Sequence, residues 1–261
     1  ALGGGVVGDM TGFAAATYLR GIDFIQVPTS LLAMVDSSIG GKTGVDFRAF
    51  KNMVGAFHMP RLVYMNLSVL KSLPQEQFKS GMGEVIKHGL IADRSYFDFL
   101  IKDREKICAF DPDAILHVVK RSCEIKGAVV EEDPKEQGIR ATLNFGHTIG
   151  HAVEKLSKFS LFHGQCVAVG SVAAAYLSMK KGLIKGSDYE LIRQVISDYG
   201  LPVSVCAETY HADEILKTTK SDKKMQAGKI KFILLEQIGK AVIDTSLTDA
   251  DLLEGINEIL K

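Results

Sequence analysis

The 261 residues carry 31 Lys and Arg against 31 Asp and Glu, so the formal charge is zero and no global field draws the chain to nucleic acid or an anionic membrane. A hydrophobic content of 46% and a charged content of 24% are those of a soluble globular protein of one large domain or two ordinary ones, and no apolar run reaches the length of about 18 residues that a membrane span needs. The four cysteines, Cys108, Cys123, Cys166 and Cys206, are scattered without a CxxC pair, the pattern of reduced thiols in a cytoplasmic protein and not of a disulfide framework.

The chain opens on "ALGGGVVGD", with neither an initiator Met nor a signal peptide. A Gly-rich turn normally follows a strand, and only Ala1 and Leu2 precede this one, so the expectation is a fragment that lacks its N-terminal portion. "VGDMTGFAAATYLRG" predicts a helix stopped by Gly21. "FIQVP", closed by Pro28, and "RLVYMN" (61–66) predict strands, and their alternation with helix predicts a parallel α/β sheet. Between them, "DSSIGGKTGVDFRAFKN" (36–52) is rich in Gly and Ser and is expected as a long binding loop.

From residue 74 the pattern turns helical. "PQEQFKSGMGEVIKHGLIAD" starts with Pro74 at a first helical position, and "DPDAILHVVKRSCEIKGAVVEED" places apolar residues at 115, 116, 118, 119 and 125. "GHTIGHAVEKL", "GQCVAVGSVAAAYLSMKKG" and "SDYELIRQVISDYGL" predict further helices. "KIKFILLEQIGKAVI" (229–243) predicts a two-stranded excursion, and "TDADLLEGINEILK" a capped terminal helix. The expected organisation is α/β plus all-α: a mixed α/β piece over 1–73 and a mainly helical domain over 74–261.

Several segments carry chemistry. "GGGVVGD" (3–9) places small residues where a strand enters a helix, so backbone N–H groups can approach a phosphate, although a glycine-rich turn alone is weak evidence and a plain tight turn is the favoured reading of this segment by itself. In "SSIGGKTGVD", Ser37, Ser38, Gly40, Gly41, Lys42 and Thr43 offer donors on a backbone free of bulk, and Lys51 and Asn52 follow shortly after. Glu84 and Lys87 stand three apart on one helical face beside His88. Such a pair is usually a solvated salt bridge, but the apolar, glycine-bearing run "SGMGEVIKHGLI" argues against solvent. His147 and His151 are one helical turn apart, and His163 follows at an expected turn. Glu84 with two of these three histidines makes a donor set suited to Zn²⁺ with an open position, and spacing alone does not choose the two. Lys126, Arg140 and the pair Lys223–Lys224, together with Lys42, Lys51 and Lys87, would form an anion pocket in a chain of zero net charge.

These segments resemble the 3-dehydroquinate synthase family: "GGGVVGDMTGFAAATYLRG", "VPTSLLAMVDSSIGGKTGVD", "KNMVGAFHMP", "GEVIKHGLI", "RATLNFGHTIGHAVE", "HGQCVAVG" and "DKK" run in family order across nearly the whole chain. The resemblance implies a partial Rossmann-like NAD-binding domain followed by a helical domain, with the site in the cleft between them. It implies conversion of 3-deoxy-D-arabino-heptulosonate 7-phosphate to 3-dehydroquinate and phosphate, by transient NAD⁺ oxidation, phosphate elimination, re-reduction and intramolecular aldol closure. By motif, Glu84, His147 and His163 match zinc ligands (with Co²⁺ a substitute), and His151 matches a site residue that does not bind metal. Asp36, Lys42, Asn52, Lys87, Lys126, Arg140 and Asn144 match substrate-pocket positions. Gly5, Val6, Val7, Gly8, Asp9, Thr29, Ser30, Lys42 and Lys51 match NAD contacts. Lys42, Asn52, Lys87 and His151 would hold the substrate's phosphorus anion, and Arg140 and Lys126 its carboxylate. Arg20 matches a pocket residue supplied by the neighbouring subunit of a homodimer. The family carries further residues before "GGG", so the expectation for these 261 residues alone is weak NAD binding. The competing readings are another sugar-phosphate cyclase such as 2-deoxy-scyllo-inosose synthase, a metal-dependent polyol dehydrogenase, and a noncatalytic remnant.

Overall fold

The computed structural model describes residues 1–47, 50–158, 160–222 and 231–261, with 50–52 and 222 described as backbone alone. The chain packs into two compact units, residues 1–81 with 105–140 and residues 82–104 with 141–261.

In the first unit, β1 (Leu2–Gly3), α1 (Gly5–Thr17) and β2 (Ile25–Pro28) form a βαβ turn in which β1 and β2 pair in parallel, Leu2 opposite Val27. β2 pairs in parallel with a short strand that follows the hairpin described next, at Leu62–Val63, so the sheet is the expected parallel one but that strand is two residues long where 61–66 was predicted. Segment 36–52 departs from the expected loop. A π-helical turn occupies Ala33–Ser37, and β3 (Lys42–Phe47) pairs antiparallel with β4 (Phe50–Phe57), Thr43 opposite Ala56 and Val45 opposite Val54. The alternation of Thr43, Val45 and Phe47 has the period of a strand, which the surrounding Gly and Ser obscure in composition. Gly40 (φ 106°) and Gly41 (φ 65°) make the turn into β3 in the left-handed region. The Leu62–Val63 strand is β5.

Helix α2 (Gln75–Ala92) contains the boundary between the units. In the second unit α3 (Arg94–Lys102), capped by the Asp93 carboxylate, follows it. After α4 (Arg104–Cys108), α5 (Pro112–Glu132) starts on the Asp111 cap with Pro112 in its first turn and packs in the first unit against the Ala33–Ser37 segment.

The helices predicted at 146–156, 164–182 and 187–201 are α6 (His147–Leu156), α7 (His163–Lys180) and α8 (Gly186–Asp198). α9 (Ala212–Asp222) precedes the predicted hairpin, β6 (Phe232–Gln237) and β7 (Lys240–Asp244). The terminal helix α10 (Asp249–Glu258) carries the expected cap, Thr248 and Asp251 satisfying each other's backbone N–H groups. The core of this unit lies around α7, where Val167, Val169, Val172 and Leu177 are almost fully enclosed along with Phe232, Leu234 and Ile256. The Ser178 hydroxyl donates to the Ala174 carbonyl at 2.7 Å and accepts from the Leu235 N–H at 2.9 Å, joining α7 to β6. No helix among the described residues is long and apolar enough to cross a membrane.

Candidate functional site

Helix α2 is buried on every side from Gly81 to Ile91. That enclosure decides the Glu84–Lys87 question: the exposures are 0% and 2%, so this is no surface salt bridge. Small residues permit it. A Cβ at Gly83 would lie 2.4 Å from the Gly164 carbonyl oxygen, and one at Gly89 would meet the Phe97 backbone at 3.2 Å. The Lys87 ammonium contacts Glu84 Oε2. Glu84 Oε1 lies 3.4 Å from His147 Nε2 and 3.4 Å from His163 Nε2.

The histidines come from the starts of two helices. His147 opens α6 and His151 follows one turn later on the same face. His163 is the first residue of α7, not part of a turn as expected, because the Gln165 side chain accepts the Phe162 N–H and starts the helix there. The two helices come together through glycine: a Cβ at Gly170 would be 1.9 Å from the Gly146 carbonyl oxygen, and one at Gly150 2.7 Å from that of Cys166. One ring nitrogen from each of His147, His151 and His163 lies within 4.8 Å of the others. The ring centroids are 5.1 Å apart for His147–His151, 5.3 Å for His147–His163 and 5.8 Å for His151–His163.

The electrostatics separate the two imidazoles beside Glu84. Burial pulls His147 down to about 4 despite the Glu84 carboxylate, so its ring is neutral at physiological pH. Burial also opposes charge on His163, but the carboxylates of Glu154 and Glu84 outweigh it and push the ring up to about 9. Burial raises the Glu84 carboxyl, while Lys87 and His147 hold it well below the usual carboxylate range. Neither Glu84 oxygen meets a donor in hydrogen-bond geometry among the described residues, although both are enclosed. Beside one ammonium the enclosed carboxylate still makes no hydrogen bond in good geometry among the described residues, and a cation between it and the converging Nε2 atoms would give Oε1 a partner. One carboxylate oxygen and two imidazole nitrogens are borderline donors that suit Zn²⁺. The residues present therefore fit a divalent metal ion.

In the first unit the glycine-rich turn leads directly into α1. The N-cap is Gly4, which offers no side-chain oxygen, so the first N–H groups of the helix have no side-chain cap. Gly5, Val6, Val7, Gly8 and Asp9 all lie in the first turns, with Val6 and Val7 exposed. Thr29, whose N–H donates to the Gly3 carbonyl at 2.9 Å, and Ser30 follow β2 directly. A small recess here is lined by Gly3, Gly4, Gly8, Gln26, Ser37 and Ser38. A helix N-terminus with such an approach suits phosphate.

The remaining predicted residues of this unit are engaged by the protein itself. Lys126 on α5 donates to both the backbone oxygen and Oδ1 of Asp36 at 2.7 Å. Lys42, at the start of β3, is half-exposed and paired with Glu136. Arg140 is buried and donates through Nη1 to the Pro134 carbonyl at 2.7 Å and through Nη2 to that of Gly40 at 2.9 Å. The Asp133 carboxylate organises that loop by accepting N–H bonds from Gln137, Gly138 and Arg140, which also keep its pKa low. Asn144, in the second unit, ends the 3₁₀ turn Ile139–Asn144. Exposed Arg20 sits at φ 68°, just before Gly21. The side chains of Lys51 and Asn52, and Lys223 and Lys224 altogether, lie outside the described residues.

One site residue was missed. The buried Glu154 carboxylate lies 3.1 Å from His163 Nδ1. Its position, seven residues after His147 and three after His151, puts it on the histidine face of α6, and a Glu inside the apolar run "IGHAVEKL" was the available signal.

A βαβ turn with an open helix N-terminus in one unit and a buried carboxylate–imidazole donor set in the other define the class: a chain equipped for a phosphate-bearing ligand and a divalent cation. Residues 1–80 match the family model for the 3-dehydroquinate synthase N-terminal region, and residues 81–225 that for the C-terminal region. A 3-dehydroquinate synthase of Thermodesulfovibrio yellowstonii is 46% identical over 259 residues, which cover 99% of this chain and 72% of that one. Among solved structures, 2-epi-5-epi-valiolone synthase from Streptomyces hygroscopicus, with NAD⁺ and Zn²⁺ bound, superposes with a TM-score of 0.93 at 27% identity, over 99% of this chain and 72% of that one. A 2-deoxy-scyllo-inosose synthase complexed with carbaglucose-6-phosphate, NAD⁺ and Co²⁺ gives 0.88 at 30% identity, over 100% and 73%. The chain belongs to the 3-dehydroquinate synthase family.

Proposed function

We propose that this chain performs the 3-dehydroquinate synthase reaction, taking 3-deoxy-D-arabino-heptulosonate 7-phosphate to 3-dehydroquinate and phosphate with NAD⁺ and Zn²⁺. The observation that carries the reading is the enclosed Glu84 carboxylate facing His147 and His163, in a chain 46% identical to a 3-dehydroquinate synthase. Glu84, His147 and His163 would hold the metal ion, and the turn from Gly5 to Asp9 with Thr29 and Ser30 the dinucleotide. When bound, these groups supply Lewis-acid polarisation of a substrate oxygen and a reversible hydride acceptor, so that the ring carbon is oxidised before elimination and reduced after it.

The protein's own groups do the rest. Lys87 keeps Glu84 ionised within an enclosed helix and so keeps it a ligand. Lys87 and His151, beside the donor set, are suited to an anionic phosphorus group, whose fixed pose favours its departure. Lys126 is oriented by Asp36, and the three guanidinium N–H groups that Arg140 does not give to Gly40 and Pro134 are donors for a carboxylate. The Asn52, Lys42 and Lys51 roles implied by the resemblance belong to the same reading, as does a homodimer in which Arg20 serves a neighbouring subunit.

Measuring phosphate release from the heptulosonate phosphate and from carboxylate-free sugar phosphates tests it. Turnover of the carboxylate-bearing substrate is expected. Turnover of a carboxylate-free sugar phosphate alone would instead favour a cyclase like the two solved neighbours, whose folds match at TM-scores of 0.93 and 0.88.

A further inference from the structure

We infer that Glu154 is a positioning residue that fixes His163 as an Nε2 donor to the metal ion. The inference rests on the reading that Glu84, His147 and His163 hold that ion. His163 has two ring nitrogens, and only one faces Glu84. Nε2 lies 3.4 Å from Glu84 Oε1, while Nδ1 lies 3.1 Å from Glu154 Oε2. A carboxylate can only accept, so Nδ1 carries the proton of this contact and Nε2 is the nitrogen left to take a cation once its own proton has gone.

His147 reaches the same result by a different device. Its Nδ1 is 3.0 Å from the Phe145 carbonyl oxygen, so Nε2 again faces Glu84 Oε1 at 3.4 Å. A backbone carbonyl held at the start of α6 therefore orients one ring, and a charged side chain orients the other. Glu154 needs a reason to be where it is: 6% exposed on a helix whose neighbours Ile149, Ala152 and Val153 are apolar and enclosed. The close glycine contacts between α6 and α7, at Gly146, Gly150 and Gly170, set the spacing that lets Glu154 reach across to His163. The arrangement is that of a carboxylate behind a metal-ligating histidine, where the outer group fixes the tautomer and strengthens the ligand.

A carboxylate that only tied α6 to α7 would change stability without changing metal binding. The test therefore measures zinc affinity of the chain by competition with a chromophoric chelator, together with the visible spectrum of the Co²⁺-substituted protein. Wild type, Glu154→Gln, Glu154→Ala and His163→Ala are compared. Glu154→Gln keeps an acceptor but loses the charge, so it is expected to weaken zinc about 10-fold, and Glu154→Ala about 100-fold. Both should shift the Co²⁺ bands, and Glu154→Gln remains informative if the alanine variant fails to fold. Wild-type affinity and an unchanged Co²⁺ spectrum in Glu154→Gln and Glu154→Ala, with His163→Ala defective, would overturn the role of Glu154 alone. Wild-type protein that takes up no stoichiometric zinc would overturn the metal reading itself and, with it, this inference.

Discussion

The Glu84–Lys87 pair of the helical unit and the Asp36–Lys126 pair of the α/β unit have the same chemistry in different surroundings. Glu84 and Lys87 lie three residues apart on one helix, with side-chain exposures of 0% and 2%. Asp36 and Lys126 come from different elements and keep 23% and 9%. Lys126 is oriented by two oxygens of one residue, so that pair works as a latch between α5 and the Ala33–Ser37 turn. Glu84, by contrast, has no donor in hydrogen-bond geometry among the described residues and is held ionised chiefly by the Lys87 ammonium, with His147 and His163 facing it. A latch is complete as it stands. An enclosed carboxylate without hydrogen bonds can accept a further cation, which is why we propose a metal centre at the carboxylate–lysine pair of one unit, whereas in the other unit the pair joins α5 to the Ala33–Ser37 turn.

Breaking the enclosed pair should do the most damage. Lys87→Met in metal-free protein leaves Glu84 without its ammonium and is expected to cost about 3–5 kcal/mol in a denaturant titration. Adding Glu84→Gln should restore much of that loss. Lys126→Met removes charge-assisted bonds from a less enclosed site, and about 1.5–3 kcal/mol is expected from the same measurement.

Thiol chemistry sharpens the latch side of the comparison. Cys123 sits one turn before Lys126 on α5, its Sγ 3.4 Å from the Met34 carbonyl, and burial pushes the thiol up to about 11. Its thiolate is therefore scarce at neutral pH, and its alkylation should accelerate as pH rises toward about 11. Exposed Cys206, lowered by backbone N–H groups of Glu208 and Thr209, should react first. Lys126→Met removes the cation that favours the Cys123 thiolate, so faster Cys123 alkylation in that variant, read by peptide mass mapping, would report opening of the latch and not a change of thiol pKa. The smallest effect is expected from Lys42→Ala, which breaks the exposed contact with Glu136 and should change stability by less than about 1 kcal/mol.

Much of this architecture was legible in the sequence because its signals are local. The helical period of α5, the Thr248 cap of α10 and the alternation in β6 and β7 all survive folding unchanged. The β3–β4 hairpin was not legible from composition, since Gly40, Gly41 and Gly44 disguise a strand whose Thr43 and Val45 have the right period. Helices α3, α4 and α9 also went unpredicted. The burial of Glu84 and Lys87 depends on residues far along the chain, such as Gly164 against Gly83, and no window around 84–87 contains that information. Spacing could not choose two histidines from three for the same reason, because His163 joins the group only through α7. Arg140 shows the converse: its charge was legible, but its bonds to the carbonyls of Gly40 and Pro134 come from the fold.

The central claim is that Glu84, His147 and His163 form the metal centre while His151 stands beside it. Zinc stoichiometry of purified His147→Ala, His151→Ala and His163→Ala measures this directly. The account predicts loss of bound zinc in the first and third, and near wild-type content in His151→Ala. Equal loss in all three would make the helix pair His147–His151 a ligand pair and contradict the account.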